Sequence, residues 1–303
     1  MTSPAVDDHG DAPSTLGGVI LAEEEWKARA AAHQARVDAL VGAHLERRRA
    51  GRGHPVHDFL FTYYSHKPSH LRRWHPGVGV TLQGAAPHKD WSGYVEGPDG
   101  VRVGPRLVRR RRGTVEWVRE LLAATAARPA HTGCFGLHEW AMVYRTRPGD
   151  VRHEAYQLRL GHAGTDAVVE AHQLRCSHFD AFRFFTADAR PRNALTPTRE
   201  LQPALEQPGC LHANMDLYRH AYKLTPLVPS ELVADAFELA ARIRELDMRA
   251  SPYDLSGLGY EPVRIETTEG KRQYVERQRA FAAEAARLRD RLLTVIDGEL
   301  LHP

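Results

Sequence analysis

The chain has 303 residues, 42% of them hydrophobic and 26% charged, with a net charge of +3. That composition gives a globular protein with ample length for a sizeable core. It excludes a chain whose charge alone compels nucleic-acid binding. No run of about 18 apolar residues suggests a membrane helix, and the acidic N-terminus (Asp7, Asp8, Asp11) lacks a signal-peptide pattern. A cytoplasmic protein with no membrane partner is expected. Three scattered cysteines fit reduced thiols rather than a disulfide frame.

Residues 1–18 are polar and Gly/Pro-containing and are expected to form a disordered tail. Residues 19–53 read as an N-terminal helix, with Trp26, Ala30, His33, Val37, Leu40, Val41 and Leu45 near a 3.6-residue period. A main helical domain is assigned to 54–303. In it, Pro55 and Pro68 each open a short helical unit. "WSGYVEGPDGVRVG" reads as a hairpin turning at Pro98-Asp99-Gly100. A helix is expected over Val115–Ala127, with Arg109–Arg112 just before it. A shorter helix follows over Cys134–Arg145, and "YQLRLG" (156–161) is a candidate strand. Residues 165–187 fit either state. Asn214–Lys223, Pro229–Met248 and Gly270–Leu300 are the clearest helices. The expected fold is therefore mainly α (α+β): one helix-rich domain with a small β-hairpin or sheet element and a long C-terminal helix.

The chain carries 18 histidines, an unusual number. Three stretches, "CFGLHEW", "CSHFDAF" and "CLHANMD", each put a histidine and a carboxylate close behind a cysteine. On a helix, Cys134 and His138 share a face, as do His212 with Asp216 and Asp216 with His220. Such i, i+4 pairs from two helices can build an internal metal site. His138, His178, His212, Asp216 and His220 are the candidate ligands, and zinc, iron or manganese the candidate ion. No cofactor motif fixes the choice. A second possibility needs no metal. Glu139, Asp180 and Asp216 stand in aromatic, apolar surroundings, where burial tunes a carboxylate for general acid/base work, and His178 is a candidate partner. Aromatic residues crowd the same segments and could wall a pocket for a small heteroaromatic substrate. Tyr63 and Arg183 are binding candidates there, and the arginine run is a candidate phosphate grip.

"HDFLFTYYSHKPSHLRRWHPG", "CFGLHEWAMVYR", "CSHFDAFRFFT", "PGCLHANMDLY" and "LDMRASPYDLSGLGYEPVRIET" resemble a family of bacterial proteins commonly labelled 3-methyladenine DNA glycosylase. The likeness runs from about His54 to the C-terminus. It implies hydrolysis of the N-glycosidic bond of an alkylated purine, with DNA as partner. An enzyme of that class flips the nucleotide out, stacks its base and stabilises the charge growing on the sugar. Glu139, Asp180 or Asp216 would serve the charge, Trp140, Tyr144 and Phe182 would stack, and Arg109 and Arg110 would hold phosphate. The alternative is a metal-dependent hydrolase or oxygenase acting on a small molecule.

Overall fold

A computed structural model describes residues 18–147 and 155–301. The tail expected over 1–18 lies almost entirely outside them. The helix expected over 19–53 is shorter at both ends: Val19–Leu21 form strand β1, paired with Val80–Leu82, and helix α1 spans Glu23–Arg49. Three glutamates in the first turn of α1 and three arginines in its last turn complement the helix dipole. The short helices α2 (Phe59–Tyr63) and α3 (Pro68–Leu71) follow. Next come β2 (Val80–Leu82), β3 (Tyr94–Gly97) and β4 (Gly100–Val103). The four strands form one sheet in the order β1-β2-β4-β3, parallel only between β1 and β2. β3 and β4 are the expected hairpin.

Helices then take over: α4 (Pro105–Ala126), α5 (Leu137–Ala141), α6 (Gly161–Glu170), α7 (Phe179–Phe182) and α8 (Gln202–Leu205). The last three, α9 (Leu211–Lys223), α10 (Ser230–Arg249) and α11 (Thr268–Val295), pack on one another. Thr267 caps α11 by accepting from the Gly270 amide. The fold is mainly α with a small sheet, and among the described residues no helix is long and apolar enough to cross a membrane.

α9 positions the site. It is buried on nearly every face, as a central helix must be, so its polar side chains need partners inside. Asn214 shows how this is met: its amide donates to the Pro208 carbonyl at 2.9 Å, and its oxygen accepts from Arg289 at 2.8 Å. α1 is no detached extension. Trp26, Val37 and Val41 join the main core, and Arg36 binds Asp235 and Glu238 on α10 at 2.7 Å each.

Four local expectations are corrected. α4 begins at Pro105, whose fixed φ suits a first helical position, so Arg109–Arg112 lie inside the helix and not in a loop before it. The helix expected over Cys134–Arg145 shrinks to α5, because Phe135 and Gly136 sit at φ 46° and 69° and forbid an earlier start. "YQLRLG" contributes one isolated bridge, Leu158 to Tyr253, since no neighbouring strand extends the ladder. Residues 165–187 are helical in two pieces, and His178 stands in extended conformation just before α7.

Candidate functional site

The left-handed pair Phe135-Gly136 turns the chain sharply into α5. Glycine takes this conformation without strain. The turn delivers His138 and Glu139 to the side of α9 that carries His212, and the end of α10 supplies Asp247.

His138, His212 and Asp247 are buried, and one ligand atom from each falls in a group whose members all lie within 4.8 Å. The His212 ring stands edge-on to His138, centroids 4.4 Å apart at 86°. His138 Nε2 is 2.9 Å from Asp247 Oδ1. Distance alone would make this an ion pair, yet both atoms lack a hydrogen-bond partner of acceptable alignment. The two groups are nonetheless close enough to be strongly coupled electrostatically. The other Asp247 oxygen is held by Arg244 Nη1 at 3.0 Å, and the same nitrogen donates to Glu139 Oε1 at 2.8 Å. Arg244 itself is only 1% exposed and lies 3.9 Å over the Phe59 ring.

A second array adjoins the first through His178, whose ring centre is 5.3 Å from that of His212. His178 Nε2 approaches Asp216 Oδ2 at 3.2 Å and Glu206 Oε1 at 3.5 Å. Tyr64 donates to Asp216 Oδ1 at 2.7 Å. Arg219 bridges Asp180 (2.6 Å) and Asp216 (3.1 Å). His212 thus neighbours both other imidazoles, with Asp247 beside His138 and with Asp216 and Glu206 beside His178.

Electrostatics separates the three rings. For His138, burial favours the neutral form, but the Asp247 carboxylate outweighs it and raises the pKa. His178 is likewise raised, with burial overcome by Asp216 and Glu206. His212 is pushed well below the ordinary histidine value, first by burial and then by His138, so it is neutral and its lone pair is free to ligate. Burial raises Glu206, while Asp216 is held far down by Arg219 and His178 despite its burial.

Two cavities reach His212. One is lined by Phe59, Tyr63 and Phe184 with Glu139, Asp180 and Arg244. The other gathers Cys134, Cys176 and Cys210 beside His138. Burial pushes the Cys176 thiol up to about 12 and raises the other two, so all three are protonated.

Glu139, Asp180, Asp216, His178, His138, His212, Tyr63 and Arg183 therefore share one region. Other expected residues do not join it. Trp140 follows Glu139 by one helical step and so points elsewhere: it is fully buried and donates to the Ala250 carbonyl at 2.8 Å. Tyr144 donates to Glu170 at 2.8 Å, and Phe182 packs on Phe185 in the core. None of the three can stack a ligand; Phe59, Tyr63 and Phe184 form the aromatic wall instead. Of the expected metal ligands, His178, Asp216 and His220 fall outside the close group. His178 and Asp216 pair with each other, while His220, drawn down to about 4 by burial, packs 5.7 Å from Trp117. Arg109 and Arg110 are exposed on α4, and neighbouring Arg111 donates to the Lys223 carbonyl at the end of α9.

Asp247, Arg244 and Glu206 were not foreseen. Arg244 and Asp247 did leave a signal, charges on the apolar stripe of α10 beside Ile243 and Leu246. Glu206, in a Pro-rich turn, left none. No family model, no curated protein and no solved structure matches the chain.

Proposed function

We propose that the protein is a metal-dependent hydrolytic enzyme acting on a small molecule, with His138, His212 and Asp247 as ligands. One observation carries the reading: buried ligand atoms of His138, His212 and Asp247 all lie within 4.8 Å of one another. His138 Nε2 and Asp247 Oδ1 lack an aligned hydrogen bond, and a cation held by the three ligands would satisfy both. Two imidazoles and a carboxylate are a donor set used by zinc hydrolases and by non-haem iron(II) enzymes. When bound, the ion supplies an acidified water and polarises an acceptor group. The chain's own residues do the rest. Arg244 orients Asp247 from outside the ligand set. His178, whose pKa Asp216 and Glu206 raise against the effect of burial, is the proton donor and acceptor beside His212. That proton array favours hydrolysis over oxygen chemistry.

Elemental analysis of untagged protein tests this. About one zinc per chain is expected, falling at least tenfold in Asp247→Asn and His138→Ala. Protein purified without metal, or variants that keep it, would overturn the assignment. Stoichiometric iron with dioxygen consumption would overturn the hydrolytic half.

A second reading, excision of an alkylated purine from DNA, is favoured by the aromatic cavity that holds both Glu139 and Asp180. It expects free base released from alkylated duplex DNA and lost in Glu139→Gln. Absence of release, with and without added metal, ends it.

A further inference from the structure

The sheet has two open edges, and only one of them is guarded. In the order β1-β2-β4-β3 the outer strands are β1 and β3. On β3, Glu96 lies in one cross-strand row with the buried Leu82 and Val101, so it stands on the core-facing side of the sheet, yet it is exposed. An inward-pointing charge of this kind keeps a strand edge from pairing with another chain. β1 has no such device. It reads Val19-Ile20-Leu21, without a charge, a proline or a glycine. Val19 and Ile20 are the most exposed large hydrophobic residues among those described, at 57% and 50%.

The backbone of β1 leaves its centre free. The Val19 amide donates to the Gly79 carbonyl at 2.9 Å, and the Leu21 carbonyl accepts from the Gln83 amide at 3.0 Å. Strand alternation then turns the amide and carbonyl of Ile20 to the open side. Two β1 strands paired antiparallel about Ile20 exchange both groups between the same residue of two copies, as an isologous contact requires. In that register Val19 lies against the partner's Leu21 on the core-facing side, where Val19 is otherwise uncovered.

Charge selects a second copy as the occupant. Val19 pairs with Val80, and β4 runs antiparallel to β2, so α4 leaves the sheet from the Val19 end. Its exposed Arg106, Arg109 and Arg110 have no ion-pair partner among the described residues. α1 leaves from the opposite end, and its exposed Glu24 and Glu25 are likewise unpaired. Antiparallel pairing reverses the second copy, so its acidic α1 start arrives at the end where the basic α4 begins. The partner's strand lies three strand spacings from β4, about 14 Å. Long side chains span much of that gap and bring opposite charges within the screening length of about 8–10 Å. The two-fold axis repeats the match.

We propose that β1 is the contact strand of a symmetric homodimer, in which two four-stranded sheets join edge to edge. The edge is short, so the dimer is of the weak, concentration-dependent kind.

Sedimentation velocity on the full chain, from about 1 µM to about 100 µM, tests it. The native protein should pass from one chain to two across that range, and high salt should weaken the association. Ile20→Lys, a charge at an exposed edge position, should weaken it at least about tenfold. Leu258→Lys, at an exposed apolar residue outside the sheet, should leave it unchanged. Arg106→Glu with Arg110→Glu should weaken it, and adding Glu24→Arg and Glu25→Arg should restore it. A native protein that stays monomeric throughout overturns the proposal, equally so if another occupant, such as the chain's own residues 1–17, holds the edge. Association unmoved by Ile20→Lys, or moved as much by Leu258→Lys, also overturns it. Failure of the fourfold charge swap to restore association overturns the antiparallel pairing and the proposal with it. Should Ile20→Lys misfold, hydrogen exchange on the native chain replaces it: the Ile20 amide should gain protection as concentration rises, and exchange independent of concentration counts against the dimer.

Discussion

His212 stands edge-on to His138, ring centres 4.4 Å apart, yet burial and neighbouring charge drive the two in opposite directions, His212 neutral and His138 raised. Two buried imidazoles that close cannot both be charged cheaply. An ion between them makes both neutral ligands and binds only the folded chain, so it adds stability in proportion to its saturation. Chelation should therefore lower the calorimetric unfolding temperature by several degrees, and micromolar zinc should restore it. A transition indifferent to both treatments argues against a metal at this position.

Arg244 provides the sharpest mutational test of the buried network. It serves Glu139 at 2.8 Å and Asp247 at 3.0 Å while almost fully buried. Removing it strands two carboxylates, and breaking a buried pair in this way costs about 3–5 kcal/mol. Arg244→Met should lose that much stability in urea titrations and lower metal content as well. Arg244→Lys should keep the charge but lose one of the two contacts, giving an intermediate loss. A loss under 1 kcal/mol for Arg244→Met would show that the network is not stabilising Glu139 and Asp247.

How much of this could be read from the sequence depends on the residue. His212 and Asp216 were legible because a four-residue step on a clear helix fixes a shared face. His138 was legible for its neighbours more than for its place: the sequence suggested a helix running back to Cys134, and only backbone dihedrals at Phe135 and Gly136 reveal the later start. Trp140 and Tyr144 misled because aromatic character does not say which side of a helix is open. Asp247 left only the weak signal of a charge on the apolar stripe of α10, and one carboxylate near the end of an amphipathic helix is easily read as solvated. Arg244, three residues before it, links it to Glu139, which lies 105 residues from Arg244 in a different part of the chain. Burial is a property of the assembled helices α5, α9 and α10, and no local window contains it.

The three cysteines share a cavity wall, and each thiol is raised by burial. Thiolate is the reactive form, so alkylation of the folded protein should be slow. Titration with an aromatic disulfide reagent at pH 8 should find well under one fast-reacting equivalent in native buffer and three in denaturant, matching the three cysteines of the chain. A fast native equivalent would identify a cysteine whose sulfur is open and anionic, contrary to its raised pKa.

Acid should weaken the fold well before carboxylates protonate. Burial, reinforced by His70, lowers His66 to about 4, while its Nδ1 pairs with the Tyr218 hydroxyl at 2.8 Å and its ring stacks on Tyr222 at 4.4 Å. Unfolded, the same side chain titrates near 6.5. Between those values the unfolded chain holds a proton that the folded chain does not, so stability rises with pH across the window and is lost as pH falls from about 6.5 toward 4. His75, lowered to about 3 chiefly by burial, acts with the same sign. From pH 7 to pH 5, His66 alone should account for about 2 kcal/mol of lost stability. Urea titrations at the two pH values measure it. His66→Gln, which can still bond to Tyr218, should be less stable at pH 7 but lose less on acidification. An equal pH dependence in the native protein and the variant would mean that His66 titrates normally and that its burial is incomplete in solution.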